Sequence, residues 1–219
     1  MSSKFVFRSI KPPDVMNIRS LLTKVFMASD PLARHVGLSI NGFHSMLDTI
    51  LPNLDHKTSI VATPREGSTT RLGIEDDDIV ACLATAPLDI PIEEKKINRR
   101  ALPILDLLQT SQSSFKSKVL VPNSIPESRV LHLAMAATDV DFQGQGLFGG
   151  LMKEWQSQTN DGRWDIAVAE CTSPISRYML RDKFGWTEEK VVPFSSFEVE
   201  GTRPFFELDG EVALVYKKL

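Results

Sequence analysis

The chain is predicted to form a single α/β domain over residues 1–219, with a sheet of about seven strands flanked by helices. Strand-length apolar runs alternate along the chain with segments whose apolar residues recur at helical spacing. A strand, a glycine turn and a helix follow one another directly between Val130 and Trp155. With 42% hydrophobic residues, the chain can bury one full core, and one domain is the usual count at this length.

The first elements are predicted to be a strand and two helices. Phe5 to Ile10 alternates apolar and polar residues, as a half-exposed strand does. A helix begins near Pro12–Asp14, since proline is tolerated in the first turn and aspartate favours its positive end. It ends at Asp30–Pro31, because a residue before proline is pushed out of the α region. A second helix is predicted over Asn41 to Leu51, with its apolar residues on one face.

Two neighbouring strands follow, Thr58 to Thr63 and Ile79 to Thr85, joined by a polar stretch. The acidic run Glu75–Asp78 within that stretch lacks the alternating spacing of a calcium loop, which favours a solvated turn. A long, insertion-like segment then covers about residues 87–128. In it, Ala101 to Leu108 has a helical pattern, whereas Gln109 to Lys118 is polar and is predicted to be a loop. Long segments of this kind often cover substrate sites; an ordinary surface excursion is the alternative.

The C-terminal third is predicted to alternate strands with one helix. Asn160–Gly162 is a turn, and Trp164 to Ala169 is a buried strand. A helix lies within Thr172 to Trp186, and Val191 to Val199 and Glu211 to Lys217 form two closing strands.

The central feature is the glycine loop Gln143–Gly146, which connects the strand from Val130 to a helix. The first N–H groups of a helix have no internal partner, and the helix dipole adds partial positive charge there. Glycines let the backbone approach an anion closely. The loop is therefore predicted to bind a pyrophosphate, although a plain glycine turn remains the alternative.

A dinucleotide site is a second interpretation, because Gly144-x-Gly146-x-x-Gly149 fits that fingerprint and Asp165 and Glu170 flank the next strand. The position of the loop argues against it. About 130 residues precede the loop, and too few follow to build a doubly wound sheet.

At these residues the chain resembles the GCN5-related N-acetyltransferase superfamily. The acyl-CoA loop of that superfamily reads Arg/Gln-x-x-Gly-x-Gly/Ala, and this chain has Gln143–Phe148, preceded by the acidic-aromatic pair Asp141–Phe142. Phe148 departs from the pattern, which has glycine or alanine at that position. The segment Asp182–Trp186 is similar to the end of the second signature, Lys-Leu-Gly-Phe.

This resemblance implies the acyl-CoA N-acyltransferase fold, with a mixed central sheet whose strands from Val130 and Trp164 splay apart. Acetyl-CoA would enter the gap as co-substrate, and no metal is implied. The residues that the resemblance assigns to acetyl-CoA are Ala136, Ala137, Thr138, Gln143, Gly144, Gln145, Gly146, Leu147, Phe148 and Gly149.

A narrower resemblance concerns the arylalkylamine N-acetyltransferase-like branch. Val25–Leu32 is similar to a segment of that branch that contains Glu-Pro-Leu, and Cys171–Ser176 is similar to its Cys-Ser-Ser-x-x-Ser run. The closing residues Leu214–Leu219 also resemble its last strand. The branch implies direct transfer of the acetyl group from acetyl-CoA to a primary amine, here of a small molecule, in a ternary complex.

The proton acceptor that the branch implies is a carboxylate, since alkylamines are mostly protonated near pH 7 and must lose a proton before attack. The glutamate of Glu-Pro-Leu corresponds to Asp30. A capping or turn aspartate before proline is an equal alternative for this residue. Asp14 and Glu170 are weaker candidates.

The departing CoA thiolate needs a proton donor. The serines of the branch correspond to Thr172 and Ser176, so Ser176 is the first choice. Tyr178 is the second, because the superfamily often uses a tyrosine in this helix, although the usual position holds Arg181. His132 could relay a proton from the cofactor strand, but a core histidine is the simpler interpretation.

The composition argues against several classes of protein. A net charge of -3 and an isoelectric point near 5.8 argue against a nucleic-acid surface. Cys82 and Cys171 lie in apolar runs and are expected to be buried, inert thiols. No signal peptide or bilayer-length apolar run is visible, so we expect a cytoplasmic protein without a membrane partner. Nothing in the sequence indicates an oligomeric state. A protein or peptide acetyltransferase and a non-catalytic acyl-CoA-binding module remain alternatives to the small-molecule enzyme.

Overall fold

A computed structural model describes residues 4–65 and 78–219 of the chain. The strands are β1 Phe5–Ser9, β2 Ile60–Pro64, β3 Ala81–Pro87, β4 Val130–Thr138, β5 Ile166–Cys171, β6 Thr187–Pro193 and β7 Glu211–Lys218. The helices are α1 Asp14–Ser29, α2 Pro31–His35, α3 Ile40–Ile50, α4 Leu102–Phe115, α5 Leu147–Gln158 and α6 Pro174–Tyr178. One π-helical turn extends α4 over Lys116–Leu120, and another extends α6 over Met179–Lys183. The predicted order of elements is confirmed, with α2 as an additional short helix.

The strands form one mixed sheet in the order β1-β2-β3-β4-β5-β7-β6. Among the described strands, β4 and β5 are the only parallel neighbours, and every other pair is antiparallel. A doubly wound dinucleotide domain is built on a mostly parallel sheet, so the dinucleotide interpretation is wrong. Asp165, which that interpretation needed, forms an ion pair with Arg129 instead.

Helix α5 packs on one face of the sheet, and α1, α3 and α4 pack on the other. The apolar stripe of α5 is buried together with alternate residues of β2, β3 and β5 in a first core cluster. The alternate strand residues that point to the opposite face are buried in a second cluster under α1 and α3 or in a third cluster under α4. This division follows from the strand period of two residues, which sends neighbouring side chains to opposite faces.

Two element predictions are wrong. Gln109 to Lys118 is helical, because Leu107, Ser111 and Phe115 recur every four residues and are buried against the sheet. The strand predicted over Val191 to Val199 ends at Pro193, because the next residues turn inward and bury two phenylalanines. These are Phe194 and Phe197, which join Leu32 and Phe205 in a fourth cluster.

The acidic run Glu75–Asp78 lies outside the described residues except for Asp78. In the described part of the chain, no helix combines the length and apolar character needed to cross a bilayer.

Candidate active site

The central strands separate part-way along the sheet. β4 and β5 are paired only at Val130–Ile166, Leu131–Ala167 and His132–Val168. Beyond His132, β4 continues to Thr138 against β3, and β5 continues to Cys171 against β7. The six residues from Leu133 to Thr138 extend for roughly 20 Å without a β5 partner. The predicted gap between the strands is therefore present, and its β4 edge offers backbone groups to an extended ligand.

A bulge in β4 marks the start of this gap. Ala84 pairs with Met135 and Thr85 pairs with Leu133, so Ala134 has no partner opposite it on β3. Leu133 faces the first core cluster, whereas Met135, two residues later, faces the second. A bulge bends its strand and increases the local twist. The extra residue thus accompanies the divergence of β4 from β5.

The glycine loop lies at the end of β4, where α5 begins. Gly144 and Gly146 both have φ of +75°, a left-handed conformation that glycine adopts without strain. A Cβ atom at either position would meet no other atom within 4 Å, so the loop faces open space. From Gly144 onwards, the first N–H group that donates a backbone hydrogen bond is that of Gly150. It donates to the carbonyl oxygen of Gly146 at 3.1 Å.

The N–H groups from Gly144 to Gly149 have no hydrogen-bond partner among the described residues. They therefore remain available to an anion at the positive end of α5. Beside the loop, the carboxylate of Asp139 is paired with Lys24 at 2.7 Å, which offsets its negative charge.

Phe148 does not obstruct the loop. Its side chain is half-buried and packs against the first core cluster. The next residue, Gly149, has open space where a Cβ would lie. At Gly150, by contrast, a Cβ would lie 2.1 Å from Cζ of Phe7 on β1, so this glycine is required for the packing of α5. The departure at Phe148 is accommodated by directing the ring into the core.

Asp30 connects α1 to α2 and caps α2. Its Oδ1 accepts a hydrogen bond from the N–H of Ala33 at 2.7 Å. Burial raises the pKa of Asp30, and the N–H groups of Ala33 and Leu32 oppose this shift only in part. Asp30 is thus a helix cap whose carboxylate binds a proton more readily than an exposed aspartate does.

Asp14, a weaker candidate for the base, has a structural role. Its carboxylate accepts hydrogen bonds from Arg8 Nη1 at 2.6 Å, from Arg8 Nη2 at 3.0 Å and from the N–H of Lys11 at 2.7 Å. Burial raises the pKa of Asp14, but these contacts lower it further, below its usual range. A carboxylate held in this way is a poor proton acceptor at neutral pH.

Ser176 and Tyr178 lie on α6, after the end of β5. The hydroxyl of Ser176 donates to the carbonyl of Ser173 at 2.9 Å and lies beside the thiol of Cys171. Burial raises the pKa of Cys171 to about 12, so this thiol is protonated at neutral pH and is a poor nucleophile. Cys82 is buried as well, which raises the pKa of its thiol to about 12. Tyr178 is 48% exposed, and the ammonium of Lys183 lies 5.3 Å from its ring centre.

His132 and Glu170 form a pair that the sequence analysis did not make. Nε2 of His132 lies 2.7 Å from Oε2 of Glu170, at the point where β4 and β5 separate. The Glu170 side chain is 4% exposed, and the side chain of Gln112 on α4 also interacts with its carboxylate. A sequence signal existed, because each residue is the single polar side chain within a strand-length apolar run.

Comparison with known proteins gives matches to solved structures. No family model and no curated protein matches the chain. The C-terminal condensation domain of Ebony, in complex with beta-alanyl-dopamine, matches with a TM-score of 0.81 and 14% identity, over 100% of both chains. Polyamine N-acetyltransferase of Drosophila melanogaster matches with a TM-score of 0.77 and 18% identity, over 98% of this chain and 100% of the other. Arylalkylamine N-acetyltransferase 2 of Aedes aegypti matches with a TM-score of 0.76 and 17% identity, over 99% of both.

The chain has the GCN5-related N-acetyltransferase fold. In this acetyltransferase fold, the sequence-predicted loop residues lie together at the end of β4, next to the gap. The three predicted catalytic residues are not joined in this way. Among the described residues, no hydrogen bond or ion pair connects Asp30 with Ser176 or Tyr178.

Proposed function

We propose that the protein is an acetyl-CoA-dependent N-acetyltransferase that transfers the acetyl group directly to a primary amine of a small molecule in a ternary complex. One observation carries the proposal: an open glycine loop with free N–H groups lies at the end of a strand that has parted from its neighbour. The loop suits a pyrophosphate, and the unpaired strand edge suits a chain that contains amide groups.

The residues that would hold acetyl-CoA are those of the loop and the strand edge. The N–H groups of Gly144, Gly146 and Gly149 would bind the pyrophosphate. The backbone of Ala136 to Thr138 would pair with the amides of the pantetheine arm. Acetyl-CoA supplies the thioester that is attacked. The chain holds amine and thioester together, and such orientation contributes about 7–11 kcal/mol to rate enhancement.

Direct transfer is favoured over an acyl-enzyme. Cys171 is the thiol nearest the predicted proton donor Ser176, and its thiolate is disfavoured by burial. Asp30, with its raised pKa, is the base that the family resemblance implies. Ser176 and Tyr178 are the candidate donors to the CoA thiolate.

The choice of a small-molecule acceptor is supported by the structural neighbours. Two of them, from Drosophila melanogaster and Aedes aegypti, are named as acetyltransferases of polyamines or arylalkylamines. A peptide acceptor is the alternative within the same chemistry.

Initial rates of thiol release, with acetyl-CoA and primary alkylamines varied together, test this function. We expect CoA release that requires the amine and double-reciprocal lines that intersect, because both substrates must be bound before transfer. Parallel lines would contradict direct transfer. Binding of acetyl-CoA without thiol release for any amine or peptide would identify a non-catalytic module. A Cys171→Ala variant serves as the control and should keep its activity.

A second candidate function concerns the acyl group. The Ebony domain, which has the highest TM-score of the three, was solved with beta-alanyl-dopamine, an amide of an aminoacyl group rather than of acetate. Transfer of a β-alanyl group to an amine is therefore the alternative. Rates with β-alanyl-CoA and acetyl-CoA as donors separate the two: a preference for acetyl-CoA supports the first proposal, and a preference for β-alanyl-CoA supports the second.

A further inference from the structure

We propose that Lys24 on α1 belongs to the acetyl-CoA site, because its ammonium neutralises Asp139 and thereby allows the glycine loop to bind the pyrophosphate. The inference rests on the proposed acetyltransferase function. It adds to the donor site a residue that lies 115 positions before Asp139 in the chain. Lys24 acts through Asp139 and does not touch the thioester, so it is a determinant of binding and not a catalytic residue.

The glycine loop carries no cation of its own. The segment Gln143 to Gly150 contains neither lysine nor arginine. The N–H groups at the start of α5 supply only partial positive charge. A pyrophosphate carries full negative charges, so the charged side chains around the loop affect how tightly it binds.

Asp139 places a carboxylate directly before this loop. Its N–H donates to the carbonyl of Val80 at 2.9 Å, and its Oδ1 accepts a hydrogen bond from the N–H of Asp141 at 3.2 Å. These bonds shape the 3-10 turn Val140–Phe142, which buries the ring of Phe142 in the first core cluster. Asp139 thus sets the path of the chain from β4 to the loop, but its charge opposes an anion there.

Lys24 is placed to remove this repulsion. Its Nζ donates to Oδ1 of Asp139 at 2.9 Å and to Oδ2 at 2.7 Å, so one ammonium covers both oxygens. The hydrogen bond with Asp139 and the charges of Asp139 and Asp141 raise the pKa of Lys24, and desolvation opposes them only in part. The ammonium therefore stays charged at neutral pH, and the pyrophosphate meets a neutral pair instead of a bare carboxylate.

Packing of α1 on β4 fixes Lys24 at this point. Leu21 and Leu22, which precede Lys24 on α1, are buried in the second core cluster together with Met135 and Ala137 of β4. Ala137 lies two residues before Asp139, so the helix is held against the strand that ends at the loop. A long side chain whose base is fixed in this way loses less entropy when it pairs than a lysine on a mobile segment does.

Other charged side chains near the loop do not replace Lys24. Asp141 is exposed, and solvent and salt screen its charge. Lys153 is also exposed and follows Leu147, the first residue of α5, by six positions, which is about 9 Å along the helix axis. Among the described residues, Asp139 forms an ion pair with Lys24 alone.

The test compares the Kd of acetyl-CoA in Lys24→Met, Asp139→Asn and the double variant. Lys24→Met should raise Kd by about 5–30-fold at low ionic strength, because the uncovered carboxylate then repels the pyrophosphate. The loss should shrink in about 1 M salt, where charges are screened within about 3 Å. Asp139→Asn keeps an oxygen for the N–H of Asp141 and should bind at least as tightly as the wild type. The double variant should return close to the wild-type Kd.

Two controls separate the charge effect from a folding defect. Lys57→Met removes the same charge from a matched ion pair, Lys57–Asp161 at 2.9 Å, which lies beyond the C-terminal end of α5. It should leave Kd unchanged. The second control is S-acetylpantetheine, a donor that has the thioester and the amide arm but no pyrophosphate. Its kcat/KM should be the same in Lys24→Met and in the wild type, whereas a distorted gap would lower the rates with both donors.

The inference is overturned if Lys24→Met binds acetyl-CoA as the wild type does, or if it loses activity equally with both donors. It is also overturned if the double variant binds as weakly as Lys24→Met, because Lys24 would then contact the cofactor directly and not act through Asp139. A wild-type chain that does not bind acetyl-CoA would refute the proposed function itself, which is a different result.

Discussion

The roles of individual carboxylates in this protein depend on their burial and hydrogen-bond partners rather than on whether the residue is Asp or Glu. Asp14 accepts three hydrogen bonds, Asp30 caps a short helix, and Glu170 is buried against His132 and Gln112. The identity of a residue in the sequence does not reveal these differences, since they arise from what the fold brings near. They determine how readily each carboxylate binds a proton and how much it contributes to the fold.

The two roles considered for Asp30 are separable by substitution. Asp30→Ala removes the cap and should lower the free energy of unfolding by about 1 kcal/mol. Asp30→Asn keeps the cap. Because the pKa of Asp30 is raised on folding, its stabilising contribution is complete below its unfolded pKa and is lost as the pH rises through the folded pKa.

Asp30→Asn should therefore be at least as stable as the wild type at pH 7, and the two should converge in acid. Urea unfolding of both variants at pH 7 and pH 4 measures this. A large loss for Asn at pH 7 would show that the charge of Asp30, not its cap, stabilises the fold.

Resemblance and residue type suggested Asp30 and Ser176, but not the pairing of His132 with Glu170. These residues are 38 positions apart, and they meet only because β4 and β5 are parallel in one register. A one-residue shift of either strand would send its side chain to the opposite face. Single-sequence patterns mark His132 and Glu170 as isolated polar residues in apolar strands, but they do not give the register that brings the two together.

At the level of elements, the helix that presents the glycine loop is fixed by its contact with the first strand. The ring of Phe7 occupies the space above Gly150. The sequence predicted that α5 begins at the glycines, because its apolar residues recur at helical spacing. It did not reveal which glycine serves the loop and which serves the packing, since that depends on a strand more than a hundred residues away.

Gly150→Ala should destabilise the protein by about 1–3 kcal/mol, because the added methyl group clashes with Phe7. Gly149→Ala is the control in the same helix: its Cβ meets open space, and it should stabilise the ligand-free protein by about 0.5–1 kcal/mol through helix propensity. Thermal melts without ligand measure both. If the clash with Phe7 is the cause, Gly150→Ala should not destabilise a protein that also carries Phe7→Ala. An equal loss of stability in that background would contradict this explanation.

Helix α4 shows how polar composition misleads. The polar composition of Gln109 to Lys118 predicts a loop. Ser111 and Phe115, however, continue the row of buried residues that begins at Leu107. Tertiary burial of a narrow stripe outweighs weak local propensity. The four-residue spacing was the signal, and it was obscured by the serines and glutamines on the exposed face.

At the level of the whole molecule, the mixed sheet divides the protein into two faces, with α5 on one and the remaining long helices on the other. The order of elements in the sequence predicted this fold, because alternating strand and helix patterns can be recognised without knowledge of the tertiary contacts. The gap between β4 and β5 opens between these two faces. The loop at the start of α5 and the His132–Glu170 pair lie at opposite ends of the unpaired stretch of β4 that borders the gap.

The central claim is that the glycine loop binds acetyl-CoA, and ligand-induced thermal stabilisation tests it most directly. Gly144→Ala and Gly162→Ala are matched: both glycines have positive φ, +75° and +72°, and both face open space, but only Gly144 lies in the loop. Each substitution should cost about 1–2 kcal/mol in the ligand-free protein.

At a hundredfold excess over its dissociation constant, acetyl-CoA should stabilise the wild type and Gly162→Ala by about 2.7 kcal/mol. It should stabilise Gly144→Ala much less, and NAD should stabilise none of them. No shift with acetyl-CoA, an equal shift with NAD, or a full shift in Gly144→Ala would contradict the assignment of the loop.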